Sequence, residues 1–253
     1  KVVIRYVSTN GNRVLTTDEV TGKSGEAIAY STTSQITEFK KQGYKLVSDE
    51  FTAGGAKVYD YDTARDQVYT VTLSERVEPV NPDNPTPQPN TPVNPGQPDS
   101  PRWPGTVENL DNKESVSRTI HYVYEDGSKA KDDVVETLNF KRWSNVNLVT
   151  GHIDFQDWTT NDDTFDKVVS PTIAGYTADK SEIPAVSGVQ AKDQDRVETV
   201  TYRKDAQKAI TRYVSTNGNR VLTTDEVTGK SGEAIAYSTT SQITEFKKQG
   251  YKL

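Results

Sequence analysis

The 253-residue chain contains no cysteine, no methionine and only two histidines. Without cysteine there is no disulfide framework, no thiolate nucleophile and no cysteine-ligated metal. His121 lies inside an alternating run and His152 beside a turn. Neither has a metal-spaced partner or a nucleophile motif next to it, so acid–base and nucleophilic catalysis lack their usual parts. No apolar run is long enough to cross a membrane as a helix. No signal-like segment or sorting motif is present, which for a piece of a larger array places such signals elsewhere. Basic runs are missing too, and the formal net charge is -6. That field repels nucleic acid, anionic lipid and sialylated or sulfated glycans at long range, so an acidic ligand must be held by short-range contacts. The chain reads as non-enzymatic, without cofactor, nucleic-acid partner or membrane insertion.

What is present is repetition. Arg5 to Leu46 reappears letter for letter as Arg212 to Leu253, 42 residues at an offset of 207. Independent divergence would have scattered differences over such a stretch. The chain therefore reads as one whole unit followed by the opening of the next, in a tandem array that multiplies reach and valency. Only 32% of residues are hydrophobic, which suits several small β-rich cores in series better than one large one. Cysteine-free, Thr- and Asn-rich, Pro-linked repeats fit a Gram-positive cell surface.

Ten of the 12 prolines lie between Glu78 and Gly105. Proline fixes φ and donates no backbone hydrogen bond, so this stretch is expected to stay out of sheets and helices and to run as an extended spacer. The predicted organisation is a first domain at 1–78, a Pro-rich linker at 79–110, a second domain at 111–205 and a partial copy of the first at 206–253.

In the first domain, Val2 to Val7 and Arg13 to Thr17 flank Asn10-Gly11, a hairpin signal because both residues tolerate positive φ. Thr32 and Gln35 read as a capping box, Ile36 and Phe39 as the inward stripe of a helix, and Gly43 as its left-handed end with Tyr44 folded back on Phe39. Tyr44 to Val47, Lys57 to Tyr61 and Gln67 to Leu73 are further strand candidates, the last with Tyr69, Val71 and Leu73 facing inward. In the second domain Ile120 to Val123, Gly175-Tyr176 and Thr199 to Thr201 echo Ile4 to Val7, Gly43-Tyr44 and Thr70 to Thr72 in the same order. About 16 extra residues in its middle are assigned to a hairpin within Asn139 to Thr160, turning at Val149 to His152. The predicted fold class is α+β: two small β-grasp (ubiquitin-like) domains in tandem, elongated, each a sheet of four or five strands under one helix with adjacent, parallel first and last strands.

The second domain carries Phe140-Lys141-Arg142, Asn147 to Gly151, Asp157-Trp158-Thr159, Phe165 to Pro171, Thr172 to Thr177 and Val197 to Tyr202. These segments resemble the mucin-binding (MucBP) repeats of lactobacillus surface adhesins. The resemblance implies extracellular, cell-wall-anchored proteins that bind mucin glycoproteins, with two β-grasp domains per repeat and, in some members, immunoglobulin binding. It supplies no agreed set of ligand-binding residues, and the long proline segment departs from the family pattern.

For glycan contact the candidates are Trp143, Trp158, Tyr122, Tyr124, Asn145, Asn147 and Asp157: aromatic faces to stack on sugar C–H surfaces, amides and a carboxylate to meet hydroxyls. The competing reading is that large aromatics in a small β domain are core. Trp103 reads as an anchor for the end of the spacer. Asp60, Asp62 and Asp66, and Asp157, Asp162, Asp163 and Asp166, offer oxygen ligands for calcium without any calcium-loop spacing, so solvated loop charge is the simpler reading and no metal is expected. The leading function is a mucin-binding adhesin repeat, with adjacent repeats of the same protein as neighbours. The alternatives are immunoglobulin capture by edge-strand addition and a structural stalk. The partial copy lacks equivalents of Lys57 to Tyr61 and Gln67 to Leu73 and is expected to be poorly ordered unless another segment completes it.

Overall fold

Val2, Ile4 and Tyr6 are fully buried and Arg5 is exposed, the period-2 pattern of a strand packed on one face; Val2–Ser8 is β1. The computed structural model describes residues 1–253. β1 returns as β2, Val14–Val20, in an antiparallel pair with a register shift between Tyr6 and Val7. The two positive φ values of the turn fall on Gly11 (69°) and Asn12 (51°), one residue later than the expected Asn10-Gly11. Asn10 instead donates its backbone N–H to Ser8 Oγ at 3.1 Å.

The helix α1 spans Thr33–Lys41 and buries Ile36 and Phe39. Its capping box does not form. Thr32 sits in helical φ/ψ with no side-chain cap, and its hydroxyl donates to Asp49 Oδ2 at 2.6 Å. Gly43, at φ 95°, ends the helix, and Tyr44 meets Phe39 edge-on at 5.6 Å. β3, Tyr44–Asp49, and β4, Gln67–Glu75, complete a four-stranded sheet in the order β2-β1-β4-β3. β1 and β4 are central and parallel, with Tyr6 opposite Val71. Lys57 to Tyr61 is not a strand, and a single bridge joins Ala27 to Val58. Gly54 and Gly55 at positive φ, with Asp60 and Asp62 accepting backbone N–H two residues on, bend that stretch into turns.

The sheet core holds a polar chain. Tyr6 and Tyr30 hydroxyls lie 2.8 Å apart, and Tyr30 donates to Asp18 Oδ2 at 2.5 Å. Burial raises both tyrosines' pKa values, and the bond to Asp18 raises that of Tyr30 further. Burial also raises Tyr122 and Tyr202. A raised folded-state pKa gives stability that is complete below the unfolded value and lost as pH climbs beyond it. Melting temperature is therefore expected to hold at neutral pH and to fall steeply above about pH 10, and to fall less steeply in Tyr30→Phe, which removes one of the hydroxyls whose ionisation the fold opposes. A melting temperature flat through alkaline titration would count against this account.

β5, Val77–Val80, follows β4 after one residue, and a short 3-10 turn spans Gly105–Asn109. The long strands β6, Lys113–Tyr124, and β7, Lys129–Lys141, lead to β8, Ser144–Asn147, and β9, Ile153–Phe155. β5, β8 and β9 form a three-stranded antiparallel sheet. Part of the Pro-rich segment thus joins a sheet, contrary to expectation. Pro79 lies in β5, an edge strand, where a missing donor breaks no ladder. Downstream, Asn90 N–H bonds to Trp103 O, Trp103 N–H to Thr91 O and Val93 N–H to Pro101 O at 2.9 to 3.0 Å. The chain folds back on itself because the residues between prolines keep their N–H donors and every carbonyl, that of Pro101 included, still accepts. Trp103 packs on Val80, Val107 and Val146.

Lys1–Glu114 and Asn139–Asn161 form one compact group, and Ser115–Leu138 and Asp162–Leu253 another. In the second group β10, Val168–Val169, pairs with β12, Glu182–Ile183, while β11, Tyr176–Ala178, and β13, Arg196–Lys204, join β6 and β7 in the order β11-β13-β6-β7. β13 runs parallel to β6 with Val200 opposite Tyr122, the counterpart of Val71 opposite Tyr6. The helix expected over this sheet is absent. Thr-, Asp- and Pro-rich residues carry no 3.6-residue apolar stripe, so an extended segment covers the sheet instead. Arg118, 1% exposed, pins it: Nε bonds to Glu136 Oε2 at 2.7 Å, Nη1 to Pro184 O at 2.9 Å and Nη2 to Asp166 O, over the Phe165 ring at 5.2 Å.

The copied segment forms β14, Ala206–Val214, β15, Val221–Lys230, and α2, Thr240–Lys248. It reproduces the hairpin, the helix and the Tyr213–Tyr237–Asp225 chain with bonds of 2.6 Å. Tyr251 to Leu253 adds no third strand, and no residue of α2 is buried. A groove of about 430 Å³ lined by Tyr213, Leu222, Ile243, Phe246 and Tyr251 lies where Val71 and Leu73 fill the first sheet's core.

Candidate functional site

The sheet β5-β8-β9 separates its side chains by strand alternation. On one face Ser144 and Val146 are buried, and Val146 and Ile153 pack with Val80, Val107 and Trp103. Arg142 lies on this side, its guanidinium 4.0 Å from the Phe155 ring and 4.2 Å from the Trp158 ring, with Nε on Asp111 O at 2.8 Å and Nη2 on Asp111 Oδ2 at 3.0 Å. An arginine held between two aromatic planes and a carboxylate is a structural clamp.

The opposite face is open. Trp143 is 43% exposed, and its carbonyl accepts from Gln156 N at 2.9 Å. Asn145 stands opposite Asp154 and Pro79, and Asn147 opposite Val77 and beside His152. His152 Nε2 and Asp154 Oδ1 are 2.9 Å apart and both side chains are exposed. The result is an indole with Val77 and Pro79 as apolar surface, bordered by an amide, a carboxylate, an imidazole and Gln156. That combination suits a ligand with alternating C–H and hydroxyl surfaces.

The seven sequence candidates separate accordingly. Trp143 and Asn145 share the open face. Trp158 stacks on Arg142 on the other. Asn147 is committed to the hairpin: Nδ2 donates to Glu75 Oε2 at 2.6 Å, and Oδ1 accepts from Val149 and Thr150 N–H at 2.9 and 3.0 Å. Asp157 is exposed beside Trp158 in the chain. Tyr122, 1% exposed, belongs to the core with Ile120, Ile183, Val200 and Tyr202, which removes it from ligand reach. Tyr124 is stacked on Tyr176 at 4.8 Å. Both tyrosines fall in the other compact group. Sequence reasoning missed Asp154 and Gln156 and set His152 aside. Continuing the alternation from Trp143 through the Val149 to His152 turn was the available signal.

No group of three or more His, Asp or Glu converges in a metal-binding arrangement. In the first acidic cluster Asp60 and Asp62 cap turns and Asp66 pairs with Lys1 at 3.3 Å. His121 Nδ1 pairs with Asp133 at 2.9 Å on an exposed surface. No helix is long and apolar enough to cross a membrane.

Comparison with known proteins agrees with this architecture. Residues 107–206 match the Muc B2-like domain family, and residues 1–75 and 207–253 match the mucin binding domain family. The chain is similar to the crystal structure of Mub-RV, with TM-score 0.63 and 25% identity over 81% of this chain and 98% of that one. It is also similar to the type 2 repeat of the mucus binding protein MUB from Lactobacillus reuteri, with TM-score 0.51 and 27% identity over 81% and 98%. A MucBP domain of an adhesion protein from Pediococcus pentosaceus is 36% identical over 36% of this chain and 98% of its own, with TM-score 0.32. Among curated proteins none matches. The chain belongs to the mucus-binding repeats of the MucBP type. Such domains are parts of bacterial surface adhesins, an extracellular setting, and are not enzymes.

Proposed function

We propose that this chain is a mucin-binding adhesin repeat of a cell-wall-anchored protein, each unit gripping a host mucin glycan weakly and the array holding strongly through effective concentration. We read the sheets β2-β1-β4-β3 and β11-β13-β6-β7 as β-grasp domains, the first at 1–78 and the second, with an extended segment in place of the helix, at 111–205, with 206–253 opening the next repeat. The observation that carries the reading is the open face of β5-β8-β9, where Trp143 is exposed among Asn145, Asp154 and Gln156. Sugar rings stack on such an indole while hydroxyls meet the amides, contacts that do not require a basic surface.

The test is binding of the chain to immobilised mucin before and after enzymatic removal of its glycans, with Fab and Fc as parallel arms. Wild type binds native mucin and loses binding with the glycans. Trp143→Ala weakens binding by about tenfold, as loss of an aromatic anchor does, with an unchanged melting temperature. Trp158→Ala lowers the melting temperature because it strips the clamp on Arg142. Equal binding to deglycosylated mucin rejects a glycan ligand, and retention of Fab or Fc in excess mucin selects the immunoglobulin alternative.

A further inference from the structure

Two positions far apart in the chain repeat one geometry. Arg76 is the single residue between β4 and β5, and Asp205 the single residue between β13 and β14. Arg76 donates its N–H to Gly43 O at 2.8 Å and accepts at its C=O from Leu148 N at 2.9 Å. Asp205 donates to Gly175 O at 2.9 Å and accepts from Ser231 N at 2.9 Å. Gly43 and Gly175 each precede the tyrosine that opens the edge strand of the earlier sheet, Tyr44 opposite Glu75 and Tyr176 opposite Lys204. Leu148 and Ser231 each extend the ladder of the later sheet, where Val77 pairs with Asn147 and Ala206 with Lys230.

From this geometry we propose that Arg76 and Asp205 are single-residue joints that set each sheet on the one before it, and that the partner each joint fits is the following domain of the same tandem array. A residue whose N–H belongs to one ladder and whose C=O belongs to the next has neither φ nor ψ free, so no hinge remains between the two sheets. Side chains reinforce both joints: Asn147 Nδ2 on Glu75 Oε2 at 2.6 Å in the first, and Thr177 Oγ1 on Asp205 Oδ1 at 2.5 Å in the second.

The glycines are required by the same close approach. A Cβ on Gly43 would lie 2.8 Å from Leu148 backbone, and one on Gly175 3.1 Å from Ser231 Cβ, both at positive φ. The copied segment presents the same acceptor. Gly250 holds φ 93° against 95° at Gly43, with nothing within 4 Å where Gly43 meets Leu148. It is shaped to receive the equivalent of Arg76 from its own domain, as Gly43 does. Each joint lies inside one compact group, and each fixes the direction in which the following sheet leaves the preceding one.

Because the chain has no cysteine, spin labels can be placed cleanly at Thr199→Cys in β13 and Thr224→Cys in β15. The interlabel distance distribution is then measured by pulsed dipolar spectroscopy in three backgrounds: wild type, Gly175→Val, and a Gly-Ser insertion after Asp205. A narrow wild-type distribution is expected, with the insertion at least about twofold broader, as free linker residues dictate, and Gly175→Val broadened toward it. A wild-type distribution as broad as the insertion overturns the joint. So does a Gly175→Val distribution as narrow as wild type. If Gly175→Val does not fold, the comparison of wild type with the insertion still decides.

Discussion

Replacing Arg118 with alanine destabilises the β11-β13-β6-β7 assembly by about 3–5 kcal/mol, the usual cost of removing one member of a buried, hydrogen-bonded charge pair. The guanidinium is 1% exposed and has no water to fall back on. Its loss leaves Glu136, Pro184 O and Asp166 O without their donor and empties space over the Phe165 ring. Arg118→Met keeps much of the volume and separates packing from charge. It is expected to fall between wild type and alanine, because the orphaned Glu136 is only partly exposed, at 26% of its side chain. Denaturant unfolding of the full chain measures both. A loss below about 1 kcal/mol for alanine would mean that the extended segment holds its place without the arginine.

The second large effect is at Gly43, and the duplicated sequence supplies its own control. Gly43→Ala places a methyl 2.8 Å from Leu148 backbone, and backbone on both sides is tied by hydrogen bonds and cannot move aside cheaply. Gly250→Ala makes the same substitution in identical local sequence at φ 93°, with open space around it. The copy should show only the left-handed penalty, about 1–2 kcal/mol. Gly43→Ala should exceed that and also release the β8–β9 turn from the first sheet, visible as faster amide exchange at Leu148 and Arg76. Equal losses at the two glycines would show that the contact with Leu148 carries no energy.

The contrast between the glycines also shows what could be read from the chain. Gly43 ending α1, Tyr44 stacked on Phe39 and Val71 and Leu73 turned inward all followed from local rules of period and capping. The three short echoes between the domains fell on equivalent positions, since Tyr6 faces Val71 and Tyr122 faces Val200. The Pro-rich segment resisted reading because its partners, Asn147 to Ser144 for Val77 to Val80, lie far along the chain and leave no local mark. The second domain's helix was expected by analogy with the first. A composition without an apolar stripe argued against it, and only the burial of Arg118 explained what stood in its place. At the candidate site Trp143 and Trp158 were indistinguishable as letters. Trp143 faces solvent, whereas Trp158 lies against Arg142, the chain neighbour of Trp143 that is turned to the other side.

Sequence by itself settled the repeat, the absence of thiol chemistry, the β-rich hairpin-and-helix opening and the kinship with mucus-binding repeats, since identity, composition and short-range periodicity need no partner. Tertiary structure alone decided which tryptophan is free, where the prolines go and how one sheet is set upon the next. Those outcomes depend on hydrogen bonds and burial between residues distant in the chain, and such pairings are chosen by the whole fold competing for each backbone group, not by neighbours in the sequence.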